Sequence, residues 1–210
     1  MIKVEMIDKM GSDLSVVNAA RVSYAKIKGE FEDKDAKLIS FLAKHGHWSP
    51  FAHASISFRI RAPVFVARQL VKHQVGLSWN EVSRRYVSYE PELYKIDEWR
   101  GKPVNSKQGS EGAVELDRTL KHMYETTMEQ CKILYNAFIG KGIAPEQARA
   151  VLPQSMMTEW IWSGTLYAFA RVCDLRCKPD VQKETREVAE YIDSYSIYHF
   201  PVSWNALRPR

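Results

Sequence analysis

The sequence predicts an α+β fold, with a small, mostly antiparallel sheet flanked by long helices in a single domain over residues 1–210. Residues 2–7 and 54–60 alternate apolar and polar side chains with the period of two that a half-buried strand requires. From about Glu111 to Ile139, apolar residues recur at helical spacing instead. These strands and helices follow one another out of strict βαβ alternation, which points to few strands. At 210 residues and 45% hydrophobic, the chain can build one core that buries roughly 70% of its unfolded surface.

In chain order, Ile2, Val4 and Met6 alternate with Lys3 and Glu5 in the first strand. Ser12 or Asp13 caps a helix carrying Val16, Val17, Ala20 and Val22. A second helix starts near Asp33, buries Leu38, Ile39, Phe41 and Leu42, and closes at Gly46 after Lys44 and His45, whose charge suits its C-terminal dipole. In the strand from Ala54 to Ile60, Ile56, Phe58 and Ile60 face inward and Ser55, Ser57 and Arg59 outward. Pro63, with fixed φ and no N–H, suits the first position of a helix running to about His73. That helix docks through Val66, Ala67, Leu70 and Val71, leaving Arg68, Gln69, Lys72 and His73 on its polar face. Gly76 breaks it. Residues 99–110 are rich in turn formers and read as a mobile flap. The long helix is expected to pack through Leu116, Leu120, Met123, Met128, Cys131, Leu134, Tyr135 and Phe138, stopping at Gly140 and Gly142. Pro145 opens a short helix bounded by Pro153, Met156 to Trp162 form a strand, and a helix runs from Thr165 to about Asp174. Asp180 caps a last helix to about His199, which buries Val181, Val188, Ala189, Ile192 and Tyr195.

The chain is organised around residues 63–86, PVFVARQLVKHQVGLSWNEVSRRY, where Arg68, Lys72, Arg84 and Arg85 face the single acid Glu81. Ser78, Asn80, Glu81, Ser83, Arg84 and Arg85 supply donors that suit an anionic, heteroatom-rich ligand, with a nucleotide as the natural candidate. The bland alternative is a solvated basic helix face. A net charge of +5 and a pI near 9.0 fit an anionic ligand, but 25 acids against 30 bases do not make a nucleic-acid binder on charge alone. No segment approaches the ~18 apolar residues of a membrane span, and MIKVEMIDKM lacks a signal-peptide layout. A cytoplasmic protein without membrane partners is expected (in the host cytoplasm, if viral). Cys131, Cys173 and Cys177 form neither a disulfide framework nor a zinc pattern and read as reduced, packed thiols. His45, His47 and His53 cluster in HGHWSPFAH without a neighbouring Cys or acid to complete a ligand set, so no metal is expected. No Gly-x-Gly-x-x-Gly occurs, which argues against a Rossmann nucleotide site.

Separated segments, in order, resemble the flavin-dependent thymidylate synthases. They are NAARVSY (18–24), KHGHWSPFAH (44–53), APVFVARQ (62–69), NEVSRRY (80–86), APEQARAVLP (144–153) and Asp174 to Arg176 followed by Gln182. The chain departs where the family reads Arg-His-Arg, seven residues, then Ser: here Lys72-His73-Gln74 is followed by eight residues before Ser83. The family's Asn-x-Arg after the late strand is Thr165-Leu166-Tyr167. The resemblance implies methylation of dUMP to dTMP, with carbon from methylenetetrahydrofolate and electrons from NADPH through FAD, in a homotetramer with sites between subunits. It also implies site residues. Gln69, Lys72, Glu81, Ser83, Arg84, Arg85, Arg149 and Arg176 are expected at dUMP, and Ser49, Lys72, His73, Gln74, Glu81, Thr165, Tyr167 and Arg171 at FAD. Arg176, Ser83 and His47 are expected at the chemistry. Rival readings are a flavin and folate enzyme acting on another pyrimidine nucleotide, motivated by Lys72-His73-Gln74, and a noncatalytic nucleic-acid module using Arg84, Arg85, Trp79 and Tyr86.

Overall fold

The computed structural model describes residues 1–104 and 108–209. Its elements are β1 (Lys3–Met10), α1 (Asp13–Arg21), α2 (Asp33–Lys44), β2 (Ser55–Pro63), α3 (Val64–Leu70), β3 (Leu77–Glu81), β4 (Arg100–Gly101), β5 (Glu111–Ala113), α4 (Arg118–Gly140), α5 (Pro145–Ala148), β6 (Met157–Thr165), α6 (Leu166–Arg176), α7 (Lys183–His199) and α8 (Pro201–Leu207). β1, β2, β6 and β3 pair in that order, antiparallel throughout, and β4 pairs with β5 in a separate ribbon. The expected α+β class with a small antiparallel sheet is observed. Of the expected flap, Asn105, Ser106 and Lys107 lie outside the described residues.

The alternation in β2 produces two unlike sheet faces. Ile56, Phe58, Ile60 and Ala62 are buried, while Arg59 on the opposite face pairs with Glu159 and the Ser57 hydroxyl meets that of Ser163. In register with β2, Trp160 and Trp162 of β6 extend the apolar face, and Trp79 of β3 stacks on Trp160 with ring centroids 4.5 Å apart. Val17 of α1, Ile39 of α2, Leu70 of α3, Phe169 of α6, Val188 of α7 and Trp204 of α8 join the same apolar cluster. Such burial, at about 25 cal/mol per Å² of apolar surface, is what holds a fold of this size together.

Several expected boundaries move for identifiable reasons. Pro63 ends β2 in an extended conformation and serves as the N-cap of α3, so the helix starts at Val64, one residue later than expected, and it stops at Leu70 rather than near His73. Ser12 takes the N-cap of α1. Asp13 is used elsewhere, its carboxylate accepting from the Val202 and Ser203 N–H groups at the start of α8, a helix absent from the sequence reading. Gln182, not Asp180, is the N-cap residue of α7, and the Asp180 carboxylate accepts from Gln108 instead. Val22, expected within α1, is its exposed C-cap, and Phe41, expected inside, is exposed. The largest difference is α4, whose expected packing face buries only Tyr135 fully, while Leu120, Met123 and Leu134 are 49%, 59% and 43% exposed. No described helix is long and apolar enough to cross a membrane.

A buried carboxylate ties the first two helices together. Asp35, fully enclosed in α2, accepts from Arg21, Lys28 and the Glu32 N–H. Burial works to raise its pKa, but these hydrogen bonds prevail and hold it at about 2, below the ordinary 3.8. A depressed carboxylate contributes stability that is complete above its unfolded pKa and lost as pH falls toward the folded one. Asp35→Asn is therefore expected to flatten the acid-unfolding curve between about pH 4 and 2, read by circular dichroism. An unchanged curve in that window would show that Asp35 carries none of the acid sensitivity.

Candidate active site

The site is built where the loop after α3 meets α6. His73 N–H donates to the Leu70 carbonyl and Leu77 N–H to that of Gln74, so residues 71–77 form a tight connection into β3. Gly76 makes this possible: its φ is +78°, and a Cβ there would lie 3.0 Å from the Ala168 Cβ and 3.2 Å from the Thr165 hydroxyl. The Gly76 carbonyl accepts from Thr165 N–H, and Thr165 in turn caps α6 by accepting from Ala168 N–H. The loop with one residue more than the family spacing is thus pinned to the start of α6.

One helix later, the same packing brings Arg176 to the loop. Its Nε donates to His73 Nε2 at 2.9 Å, and its two terminal nitrogens make no other hydrogen bond among the described residues. Burial lowers the His73 pKa, and the charges of Arg176 and then Arg171 lower it further. Beside this pair, Lys72, His73, Gln74 and Arg171 line a cavity of about 140 Å³ floored by Leu77, Ala168 and Val172. Lys72 and Arg171 are exposed cations with no ion pair among the described residues. The cavity can hold an anion.

The remaining expected residues occupy other parts of the surface. Glu81, on β3, accepts from the Thr158 hydroxyl at 2.7 Å and from Trp79 Nε1 at 3.2 Å, so its carboxylate is fixed in place. Thr158 carried no signal of this in the sequence. Gln69 Nε2 donates to Gln182 Oε1, joining α3 to the start of α7. Ser83 Oγ accepts from both the N–H and the Nε of Arg85, while Arg149 is exposed with its Nε on the Glu146 carbonyl. No hydrogen bond or ion pair among the described residues links Ser83, Arg85 or Arg149 to the His73–Arg176 pair. His47 and Ser49 are exposed, His47 lying against Phe41, and the Tyr167 ring lies 6.3 Å from that of Trp48.

Arg84 departs from the expectation of a substrate contact. It is only 6% exposed, it donates to the Tyr89 carbonyl, and its guanidinium sits over the Tyr89 ring at 4.3 Å and the Tyr135 ring at 5.8 Å. A buried cation satisfied in this way anchors the turn after β3 onto α4. Arg85, by contrast, is exposed. Among the described residues, no group of three or more His, Cys, Asp or Glu is arranged to hold a metal.

Comparison with known proteins covers nearly the whole chain. Residues 5–202 match the family described as Thy1, thymidylate synthase complementing protein. A flavin-dependent thymidylate synthase of Thermus thermophilus is 36% identical over 203 residues, covering 97% of this chain and 74% of that protein. One from Thermosipho africanus is 37% identical over 192 residues, covering 89% and 82%. Among solved structures, the UMP/dUMP methylase PolB from Streptomyces cacaoi bound with 5-Br dUMP superposes with a TM-score of 0.86 at 32% identity, covering 98% of this chain and 94% of that one. The same methylase bound with 5-Br UMP gives a TM-score of 0.85 at 30% identity, covering 98% and 93%. The chain belongs to the Thy1 family, that of the flavin-dependent thymidylate synthases.

Proposed function

We propose that the protein catalyses the reductive methylation of dUMP to dTMP, taking the carbon from methylenetetrahydrofolate and electrons from NADPH through bound FAD. The observation that carries this reading is the likeness of 98% of the chain, at a TM-score of 0.86, to a methylase of dUMP and UMP. The donor set fits a flavin dinucleotide. The cavity of Lys72, His73, Gln74 and Arg171 suits a phosphate-sized anion and is too small for the whole cofactor, so the rest of FAD, toward Ser49, Glu81, Thr165 and Tyr167, would lie outside it. When bound, FAD supplies the hydride chemistry.

The chain's own residues bind and polarise. Arg85 and Arg149, with Ser83, offer charge-assisted donors to the nucleotide phosphate, and Gln69, held by Gln182, offers an oriented amide to the pyrimidine edge. Arg176, always charged, faces the pyrimidine with its free nitrogens and stabilises negative charge developing on N3 and its flanking oxygens, which makes C5 the nucleophile. No cysteine is needed, and Cys173, buried with its thiol on the Ala189 carbonyl, is placed for packing. The exposed apolar side chains of α4 support assembly into a homotetramer, because a helix of this length leaves such a face open only where another surface covers it.

The test is dTMP formation by the purified protein supplied with FAD, dUMP, methylenetetrahydrofolate and NADPH. A protein that binds FAD and dUMP yet makes no dTMP overturns the reading. A second reading is favoured by the likeness to a methylase that holds both 5-Br dUMP and 5-Br UMP, and by Lys72-His73-Gln74: the enzyme also methylates UMP. Comparing kcat/KM for UMP and dUMP decides it, and turnover of dUMP alone removes it.

For the cofactor, Arg171→Ala is expected to weaken FAD binding by about 1.5–3 kcal/mol, the value of a charged hydrogen bond, and more than Gln74→Ala. The loss should shrink as salt rises, since exposed charges are screened. Flavin fluorescence titration across a salt series measures both. Equal affinity of Arg171→Ala and wild type at low salt would place the phosphates on backbone N–H groups instead.

A further inference from the structure

His73 lies in the segment expected to hold flavin, yet its observed partner is Arg176, 103 residues away in sequence. The direction of that bond is fixed by chemistry. A guanidinium Nε always carries hydrogen and can only donate, so His73 Nε2 must be the unprotonated nitrogen and the ring proton must sit on Nδ1. The geometry points to His73 as a positioning residue for Arg176: by accepting from Nε, the imidazole sets the plane of the guanidinium and leaves both terminal nitrogens aimed at the pyrimidine. This rests on the proposed role of Arg176 in dUMP methylation.

Arginine has five N–H groups in a planar fork, and a single acceptor at Nε removes rotation about the end of the side chain without using either terminal nitrogen. A carboxylate partner would bind the fork itself and offset its charge. A neutral imidazole does neither, so the full positive charge stays available for the substrate. His73 is suited to remain neutral. It is half-buried, Arg176 and Arg171 face it from α6, Lys72 adjoins it in its own loop, Leu77 of β3 is apolar, and no carboxylate is hydrogen-bonded to it among the described residues. Protonating Nε2 would turn the acceptor into a donor and set two cations against each other. Turnover should then fall on the acid side, below the ordinary histidine range, as His73 takes its proton.

His73→Leu removes the acceptor, and His73→Gln keeps one at the end of a side chain of comparable reach. At saturating FAD and dUMP, His73→Leu is expected to lower kcat by on the order of 10–100-fold, as a misplaced catalytic group does. His73→Gln should recover most of that loss and abolish the acid limb of the wild-type kcat profile. FAD affinity should change less than kcat in both. If kcat of His73→Leu equals wild type, or is restored simply by raising FAD, the inference falls and His73 is a flavin contact. A second measurement does not depend on turnover or on the folding of the His73 variants. In protein labelled with ¹⁵N-arginine, the Nε–H signal absent from Arg176→Lys should be protected from exchange in wild type. A fast-exchanging Arg176 Nε–H in active enzyme overturns the inference, whereas a protected signal in a protein that makes no dTMP sustains the bond and rejects only the methylation reading.

Discussion

Arg176→Lys is expected to bind dUMP nearly as tightly as wild type while turning it over on the order of 100-fold more slowly, about 2.7 kcal/mol of transition-state stabilisation. Both side chains are cationic, so the attraction to the nucleotide survives. What is lost is the planar fork. In the structure, Nε of Arg176 is spent on His73 and neither terminal nitrogen is hydrogen-bonded among the described residues, an arrangement in which one nitrogen is braced and two can follow charge spreading over N3 and the adjacent oxygens. A lysine has a single nitrogen: held by His73 it would be diverted from the pyrimidine, and turned to the pyrimidine it would be unbraced. Steady-state kcat and KM beside dUMP affinity by calorimetry make the test. A fall in affinity that accounts for the whole loss in kcat/KM, with kcat preserved, would make Arg176 a simple binding group.

Ile56, Phe58 and Ile60 declared β2 because period-two alternation has no helical counterpart, and the buried set Val66, Ala67 and Leu70 followed from 100° spacing. β3 shows the limit. Leu77 and Trp79 alternate with Ser78 and Asn80, but the run is short, its polar residues suggest a loop, and its strand form depends on pairing with β6 about eighty residues away. The face of α4 failed differently. Periodicity identifies an apolar face without saying what covers it, and Leu120, Met123 and Leu134 remain about half exposed among the described residues.

The same holds at the site. Lys72, His73, Gln74 and Arg171 were legible as a set through resemblance, and one cavity gathers them. Arg84 was misplaced because adjacent arginines look alike in sequence, whereas the aromatic pocket of Tyr89 and Tyr135 that swallows one of them exists only after α4 has folded against the turn. The bond between His73 and Arg176 had no signal at all, since neither residue type announces a partner at such separation.

Breaking the pair of Arg100 and Glu184 is expected to be strongly destabilising although it lies away from the site. Arg100, in β4, donates Nη2 to both Glu184 oxygens at 2.7 and 2.8 Å and Nε to the Ser110 hydroxyl, clamping the ribbon onto the first turn of α7. Burial pushes the Glu184 carboxyl upward, but the Arg100 hydrogen bonds and charge outweigh it and hold the pKa below the usual glutamate value. Arg100→Leu therefore strands a carboxylate whose side chain is 6% exposed, at a cost of about 3–5 kcal/mol. Glu184→Leu should cost less, because the Arg100 side chain, 18% exposed, has a path to water. The double replacement should be more stable than Arg100→Leu, since two leucines remove both the stranded charge and its desolvation. Because Glu184 lies two residues beyond Gln182, which holds Gln69, the single change should also raise KM for dUMP. Urea unfolding of the three variants at one protein concentration gives the coupling directly. Effects that add to within about 0.5 kcal/mol would mean that the two side chains act independently and that α7 is held by its apolar face alone.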